Sequence, residues 1–297
     1  MRPGRSGRRD ISGFLALRRG ARAWLMAPIL LLMASVAHAQ GDERGAAPQA
    51  ITEGYVCPAP PEALVKRRAA TGDLPPPSAE DLAAYQKYIQ ALQANDWAFL
   101  CRYKQENRQL TAGARPRVVL LGDSITENWK PRDPELFVDG VVDRGIGGQT
   151  TPQMLLRFSQ DVIALRPRVV HILAGTNDIA GNTGPTSDAQ FQDNIRAMVD
   201  LARGHGIKVI LGSIPPAAAF AWRPDLRPAA RILAWNDWLR TYARAEGLIF
   251  VDYHAALTDV AGGMLPEFGT DGVHPSLAGY QSMGALFERA LVKAERR

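Results

Sequence analysis

From Arg117 onward, five short apolar runs alternate with stretches of helical periodicity, and no other feature restricts the fold of this chain so tightly. The runs are Val118–Leu121, Val138–Val142, Val169–Leu173, Val209–Gly212 and Leu248–Val251. They are too short for helices and apolar enough for strands covered on both faces. Helical spacing runs through Thr151–Leu165, Phe191–Arg203, Ala229–Ala245 and Ser276–Ala294, with Gly204, Gly206 and Gly247 where helices should end. Alternating strands and helices predict an α/β fold, a parallel sheet wound by right-handed crossovers. Such sheets gather their chemistry at the carboxyl ends of the strands.

The first 39 residues read differently. Seven arginines stand there against one acid, Asp10, and so account for more than the whole formal charge of +5. The remaining chain is close to neutral, which removes the basic footprint that nucleic-acid binding needs. The arginines lead into an apolar run from Ala23 to Ala37 and then Ala37-His38-Ala39. A basic region, an apolar region and a small-x-small site predict a secretory signal peptide over 1–39, with export to the periplasm and no membrane span after cleavage. An uncleaved anchor is the alternative, although the run is short of the roughly 20 residues that cross a bilayer. In an oxidising compartment Cys57 and Cys101, the only cysteines, become a candidate disulfide. The bridge would close a loop worth roughly 4 kcal/mol on the chain-entropy view. With 46% hydrophobic residues in 297, the core needs no metal to hold it.

Residues 40–112 precede the alternating region. Pro58, Pro60, Pro61 and Pro75–Pro77 predict an irregular leader as far as about residue 80. Ser78 with Asp81 then resembles a capping box, and Leu82, Tyr85, Ile89 and Leu92 lie on one face of the expected helix. The organisation expected is signal segment 1–39, leader and helical arm 40–112, and main domain 113–297.

Every chemically distinctive cluster follows a predicted strand or closes the series. Gly122-Asp123-Ser124 follows the first, Arg144-Gly145-Ile146-Gly147-Gly148 the second and Gly175-Thr176-Asn177-Asp178 the third, with Asp271-Gly272-Val273-His274 after the fifth. Nucleophile, backbone donors, amide, base and acid are the inventory of an acyl-transfer site. These four segments, in this order, resemble the SGNH (GDSL) hydrolases over about residues 115–292. Ile125 replaces the leucine of the family name, and Asp143 stands where an asparagine is common.

The resemblance implies a flavodoxin-like three-layer α/β/α sandwich with strand order 2-1-3-4-5 and no cofactor. It makes Ser124 the nucleophile, His274 the base and Asp271 the group orienting it. The oxyanion hole would comprise the backbone N–H of Ser124 and Gly148 and the side-chain amide of Asn177. Physically, a serine hydroxyl is weak until an imidazole takes its proton. Gly145 and Gly147 read as plain turn residues, Asp123 and Asp178 as loop-fixing carboxylates, and His171 as a core histidine. No His/Asp/Glu cluster suggests a metal. Trp129, Phe220 and Trp222 are candidate walls of a substrate pocket. The function implied is an exported serine esterase acting on small-molecule or glycan esters, a carbohydrate O-acetylesterase first among them. Lysophospholipid or thioester hydrolysis is the alternative, and an inactive glycan-binding module a more distant one.

Overall fold

The computed structural model describes residues 56–69 and 77–296; the signal segment read over 1–39 lies outside them. In chain order the helices are α1 (Glu62–Ala69), α2 (Ala79–Asn95), α3 (Lys104–Thr111), α4 (Ser124–Glu127), α5 (Trp129–Arg132), α6 (Thr151–Phe158), α7 (Thr176–Ala180), α8 (Asp188–Gly204), α9 (Ala229–Ala245), α10 (Tyr253–Leu257) and α11 (Leu277–Arg296). The strands are β1 (Val118–Gly122), β2 (Val141–Gly145), β3 (Val169–Leu173), β4 (Lys208–Gly212) and β5 (Ile249–Val251). They form one parallel sheet in the order β2-β1-β3-β4-β5. The expected three-layer sandwich and strand order are those of the structure.

Strand alternation divides the core in two. Val119, Leu121, Val170, Ile172, Val209 and Leu211 face α6, α8 and α9, where Met154, Phe158, Phe191, Ile195 and Trp235 cover them. Val118, Leu120, Val169 and Ile210 face the other way, onto Trp129, Tyr253 and the Tyr280, Met283 and Phe287 stripe of α11. Both layers are closed by residues with little or no exposure.

The second strand starts three residues later than its apolar run suggests. Asp139 and Gly140 have φ of 50° and 79°, so they turn the chain before Val141. The strand then continues through Asp143 and Arg144, polar residues that an edge strand tolerates and that hid its true extent. Helix Thr151–Leu165 also differs from expectation. The α-helix stops at Phe158 and a π-helical segment, Ser159–Ile163, follows. The leader, expected to be irregular, contains α1. Helix α2 has the capping box of Ser78 and Asp81, but its buried residues are Tyr88 and Leu92, while Leu82 and Tyr85 remain exposed. The second half of α2 packs in a small cluster with Phe99, Tyr103 and Ile146. Cys57 and Cys101 are joined as a disulfide.

One fully buried guanidinium connects these parts. Arg157 donates to the Gly122 carbonyl (2.9 Å), to the Gln149 side chain and to Asp161 (3.0 Å). Asn107 of α3 donates to the same Asp161 carboxylate at 2.6 Å. Arg157 and Asp161 have no exposed side-chain surface, so neither can recruit water when its partner is lost. Arg157→Met therefore leaves a buried carboxylate unpaired, and the expected cost is about 3–5 kcal/mol. A urea unfolding curve with a midpoint within experimental error of the wild type would contradict this.

Candidate active site

Strand β1 ends at Gly122, and Asp123 caps the next helix, its Oδ1 accepting the Ile125 N–H at 2.9 Å. Ser124 is thereby the first residue of α4, where a backbone N–H has no acceptor within the helix. The edge is also where strand order reverses, between β1 and β3, the position at which open α/β sheets form their crevice. Turns from two other strands reach the same place. The segment Ile146–Thr150 follows β2, and α7, with Asn177, follows β3.

The loop before α11 delivers the remaining groups. Ser124 Oγ lies 2.9 Å from His274 Nε2, and His274 Nδ1 lies 2.7 Å from Asp271 Oδ2. Asp271 Oδ1 also accepts the N–H groups of Val273 (3.0 Å) and His274 (2.8 Å). Desolvation works against ionisation of Asp271, but the bonds from the His274 ring and backbone outweigh it and hold the carboxyl well below the usual range. Ser124 and His274 are half-buried, and the side of the pair toward solvent is open to a ligand.

Gly148 is exposed, with φ of +77°. A Cβ built there would meet nothing within 4 Å, so in the free protein the conformation, and not lack of space, calls for glycine. Gly145 differs from the plain turn residue expected: its Cβ would stand 2.1 Å from the Glu127 backbone N, so it lets α4 press against the end of β2. Asn177 points its amide into the site, donating to Asp123 Oδ2 at 3.2 Å and to the Gln149 carbonyl at 3.1 Å. Both bonds are long, and an incoming anion would compete for one of these N–H groups.

Three side chains that carried no motif complete the support. Glu127 accepts the Gly147 N–H at 2.7 Å and lies beside Arg102 of the arm. Gln149 donates to the Ala98 carbonyl at 2.8 Å. Asn182 donates to Asn177 Oδ1 at 2.7 Å, fixing which face of that amide carries the donors. Only their neighbours in space reveal them. Asp178 is a cap, accepting both the N–H and the hydroxyl of Thr151.

Two expected pocket walls are instead core. Trp129 has no exposure and packs among Phe137, His171, Tyr253, Tyr280 and Phe287. Phe220 is likewise fully buried, serving as the surface on which Trp222 stacks at 5.0 Å. Trp222 is 43% exposed, and its Nε1 donates to Asn182 at 3.0 Å. His171 is buried against the Tyr253 hydroxyl, and burial lowers its pKa to about 3, so it stays neutral. Among the described residues no group of three or more His, Cys, Asp or Glu side chains is placed to hold a metal ion.

Residues 120–282 match the GDSL-like lipase/acylhydrolase family. The chain belongs to that family, and so to the ester-hydrolysing enzymes. It is similar to a GDSL-like lipase from Bacteroides thetaiotaomicron, 42% identical, with a TM-score of 0.64 over 67% of this chain and 100% of the other. It is 36% identical over 129 residues to the uncharacterized lipoprotein YqeF of Bacillus subtilis, covering 36% of this chain and 53% of that protein. It is 24% identical over 213 residues to an acetylxylan esterase of Geobacillus stearothermophilus, covering 60% of this chain and 95% of the relative.

Two outcomes follow for this GDSL-family site. Gly148→Ala should cost about 1–2 kcal/mol through its left-handed backbone alone, whereas Gly145→Ala should cost more because backbone must move; thermal unfolding of the two ranks them. The second concerns Asp143, whose Oδ1 accepts the Gly145 N–H at 2.7 Å. Desolvation raises its pKa from 3.8 to about 7, with Glu127 adding in the same direction. The folded state thus keeps a proton that the unfolded chain releases, so this group makes stability fall as pH rises from about 4 to about 7. Asp143→Asn keeps the acceptor and removes the titration. It should match the wild type near pH 4 and exceed it at pH 8; unfolding curves that stay parallel across this range would refute the assignment.

Proposed function

We propose that this chain is an exported serine esterase that cleaves carboxylic esters through an acyl-serine intermediate. The observation that carries the reading is the continuous hydrogen-bonded run from Ser124 Oγ through His274 to Asp271, at 2.9 and 2.7 Å. Ser124 Oγ attacks the ester carbonyl carbon as His274 Nε2 takes its proton. Asp271, kept ionised, holds the ring tautomer and stabilises the imidazolium. The carbonyl oxygen becomes an oxyanion facing the N–H groups of Ser124 and Gly148 and one N–H of Asn177, drawn from Asp123 or Gln149. Each such donor is typically worth about 2.7–4 kcal/mol of barrier. The bond from the former carbonyl carbon to the alkoxide oxygen then breaks, and His274 gives the proton to the departing alkoxide. Water repeats the sequence on the acyl-serine, releasing the acid and restoring Ser124.

Export is supported by the arginine-rich and apolar leader, by the Cys57–Cys101 bridge, and by the resemblance to a lipoprotein. No helix among the described residues is long and apolar enough to cross a membrane. A short acyl group on a carbohydrate is the substrate the reading favours, in line with the acetylxylan esterase relative. Burial of Trp129 and Phe220 also removes two of the three residues expected to build a pocket wall.

The test is hydrolysis of p-nitrophenyl acetate and p-nitrophenyl octanoate by the mature chain. Ser124→Ala should abolish turnover without lowering the unfolding temperature, and Asp271→Asn should lower kcat by about four orders of magnitude. The acetate should be preferred. Undiminished turnover in Ser124→Ala would overturn the mechanism, and preference for the octanoate would overturn the short-acyl assignment.

A further inference from the structure

A cleft of about 260 Å³ opens between the arm and the α7–α8 link with the first turns of α8, with Trp97 on one side and Thr183, Gln190, Asp193 and Asn194 on the other. We propose that this cleft is a sugar-binding subsite that holds the alcohol part of a neutral glycan ester. The proposal rests on the serine-esterase reading and names the substrate class of that same site.

Trp97 is 39% exposed although the chain around it is held firmly. Gln153 Nε2 donates to its carbonyl at 2.7 Å, and Gln149 donates to the next carbonyl, that of Ala98, at 2.8 Å. Asp96, on its other side, accepts the N–H groups of Leu100 and Cys101, each at 2.8 Å. An indole displayed on a fixed backbone loses little entropy when a ligand settles on it. Its flat apolar face with a polar rim suits a pyranose ring, which presents C–H groups on its face and hydroxyls at its edge.

The opposite wall supplies what those hydroxyls need. Thr183, Gln190, Asp193 and Asn194 carry hydroxyl, amide and carboxylate groups, and no lysine or arginine lines the cleft. Asp193 is paired with Arg196 at 2.8 Å, a residue outside the lining. With no lining cation, and with its one carboxylate already paired, the cleft offers a phosphate no charge partner. Lysophospholipids and coenzyme A thioesters, whose alcohol or thiol parts carry phosphate, are thereby disfavoured against neutral sugars.

A short run of contacts links the cleft to the turn that carries Gly148. Pro152 in its wall opens α6, two residues after Thr150, whose hydroxyl lies 2.7 Å from that of Thr183. Gly148 precedes Thr150 by two residues, and Asn182, the neighbour of Thr183, donates to the Gly148 carbonyl at 3.5 Å, so two short steps connect the cleft with the turn assigned to the oxyanion. A second exposed tryptophan, Trp222, is tied through Asn182, the neighbour of Thr183, to Asn177.

Two measurements test the assignment separately from the chemistry. In the first, Ser124→Ala protein is titrated by calorimetry with xylotetraose, cellotetraose and chitotetraose. Millimolar or tighter binding of at least one is expected, weakened about tenfold or more by adding Trp97→Ala or Asp193→Ala. Asp193 is an exposed side chain, so its variant should fold even if Trp97→Ala does not. In the second, kcat/KM is compared for an acetylated oligosaccharide and p-nitrophenyl acetate, and Trp97→Ala should lower the ratio about tenfold. Binding of none of the three sugars, or binding that ignores both substitutions, overturns the subsite even if the esterase is active. Sugar binding that depends on Trp97, in a chain whose turnover survives Ser124→Ala, retains the subsite and discards the serine mechanism.

Discussion

The turns that follow β1 and β2 both lean on the guanidinium of Arg157. A single planar group with no access to water reaches the carbonyl of Gly122, the side chain of Gln149 and the carboxylate of Asp161. Gly122 is two residues before Ser124, and Gln149 is the residue after Gly148. The turn that begins with Ser124 and the turn that carries Gly148, which belong to different strands, are thus set against each other by one side chain. Buried ion pairs are poor sources of net stability, because desolvation consumes most of the attraction. Their value here is positional: few other arrangements satisfy all the donors of an arginine at once.

The same network brings the arm into the site. Asn107 meets Asp161, the Tyr103 hydroxyl donates to the Gly145 carbonyl at 2.5 Å, and Gln160 donates to the Leu100 carbonyl at 2.7 Å. Tyr103 is itself held between the guanidinium groups of Arg102 and Arg144, 4.2 and 4.4 Å from its ring centre. These contacts reach the strand end and the turn that carry the proposed oxyanion donor. The Cys57–Cys101 bridge secures the chain just ahead of them. An element that looks peripheral in the topology is therefore part of the frame around Gly148.

The sheet, and the placing of the four motif segments at its edge, were legible in the sequence because each depends on neighbours along the chain. Apolar runs mark buried strands, and a serine, a glycine turn, an asparagine or an Asp/His pair directly after such a run already has an address at the sheet edge. What escaped depends on distant partners. Nothing local distinguishes Arg157 on α6 from a surface arginine, or Trp129 from a tryptophan lining a pocket. The late start of β2 was hidden by the positive φ of Asp139 and by the polar tail Asp143-Arg144, allowed only because β2 ends the sheet. Similarly, the burial of Tyr88 in place of Tyr85 follows from where α2 happens to meet Phe99 and Ile146.

The π-helical segment after α6 carries its information in length more than in composition. Regular α-helix advances by about 100° per residue, and a wider turn delays that rotation. The residues before Ser159 present Met154 and Phe158 to the sheet, while Gln160 and Asp161 just beyond it are turned toward Leu100 and Asn107 of the arm. Helical phase, then, decides whether this segment joins sheet and arm or serves the sheet alone. Loss of one residue here would keep nearly every side chain and yet rotate half of them away from their partners, a kind of change that no substitution reproduces.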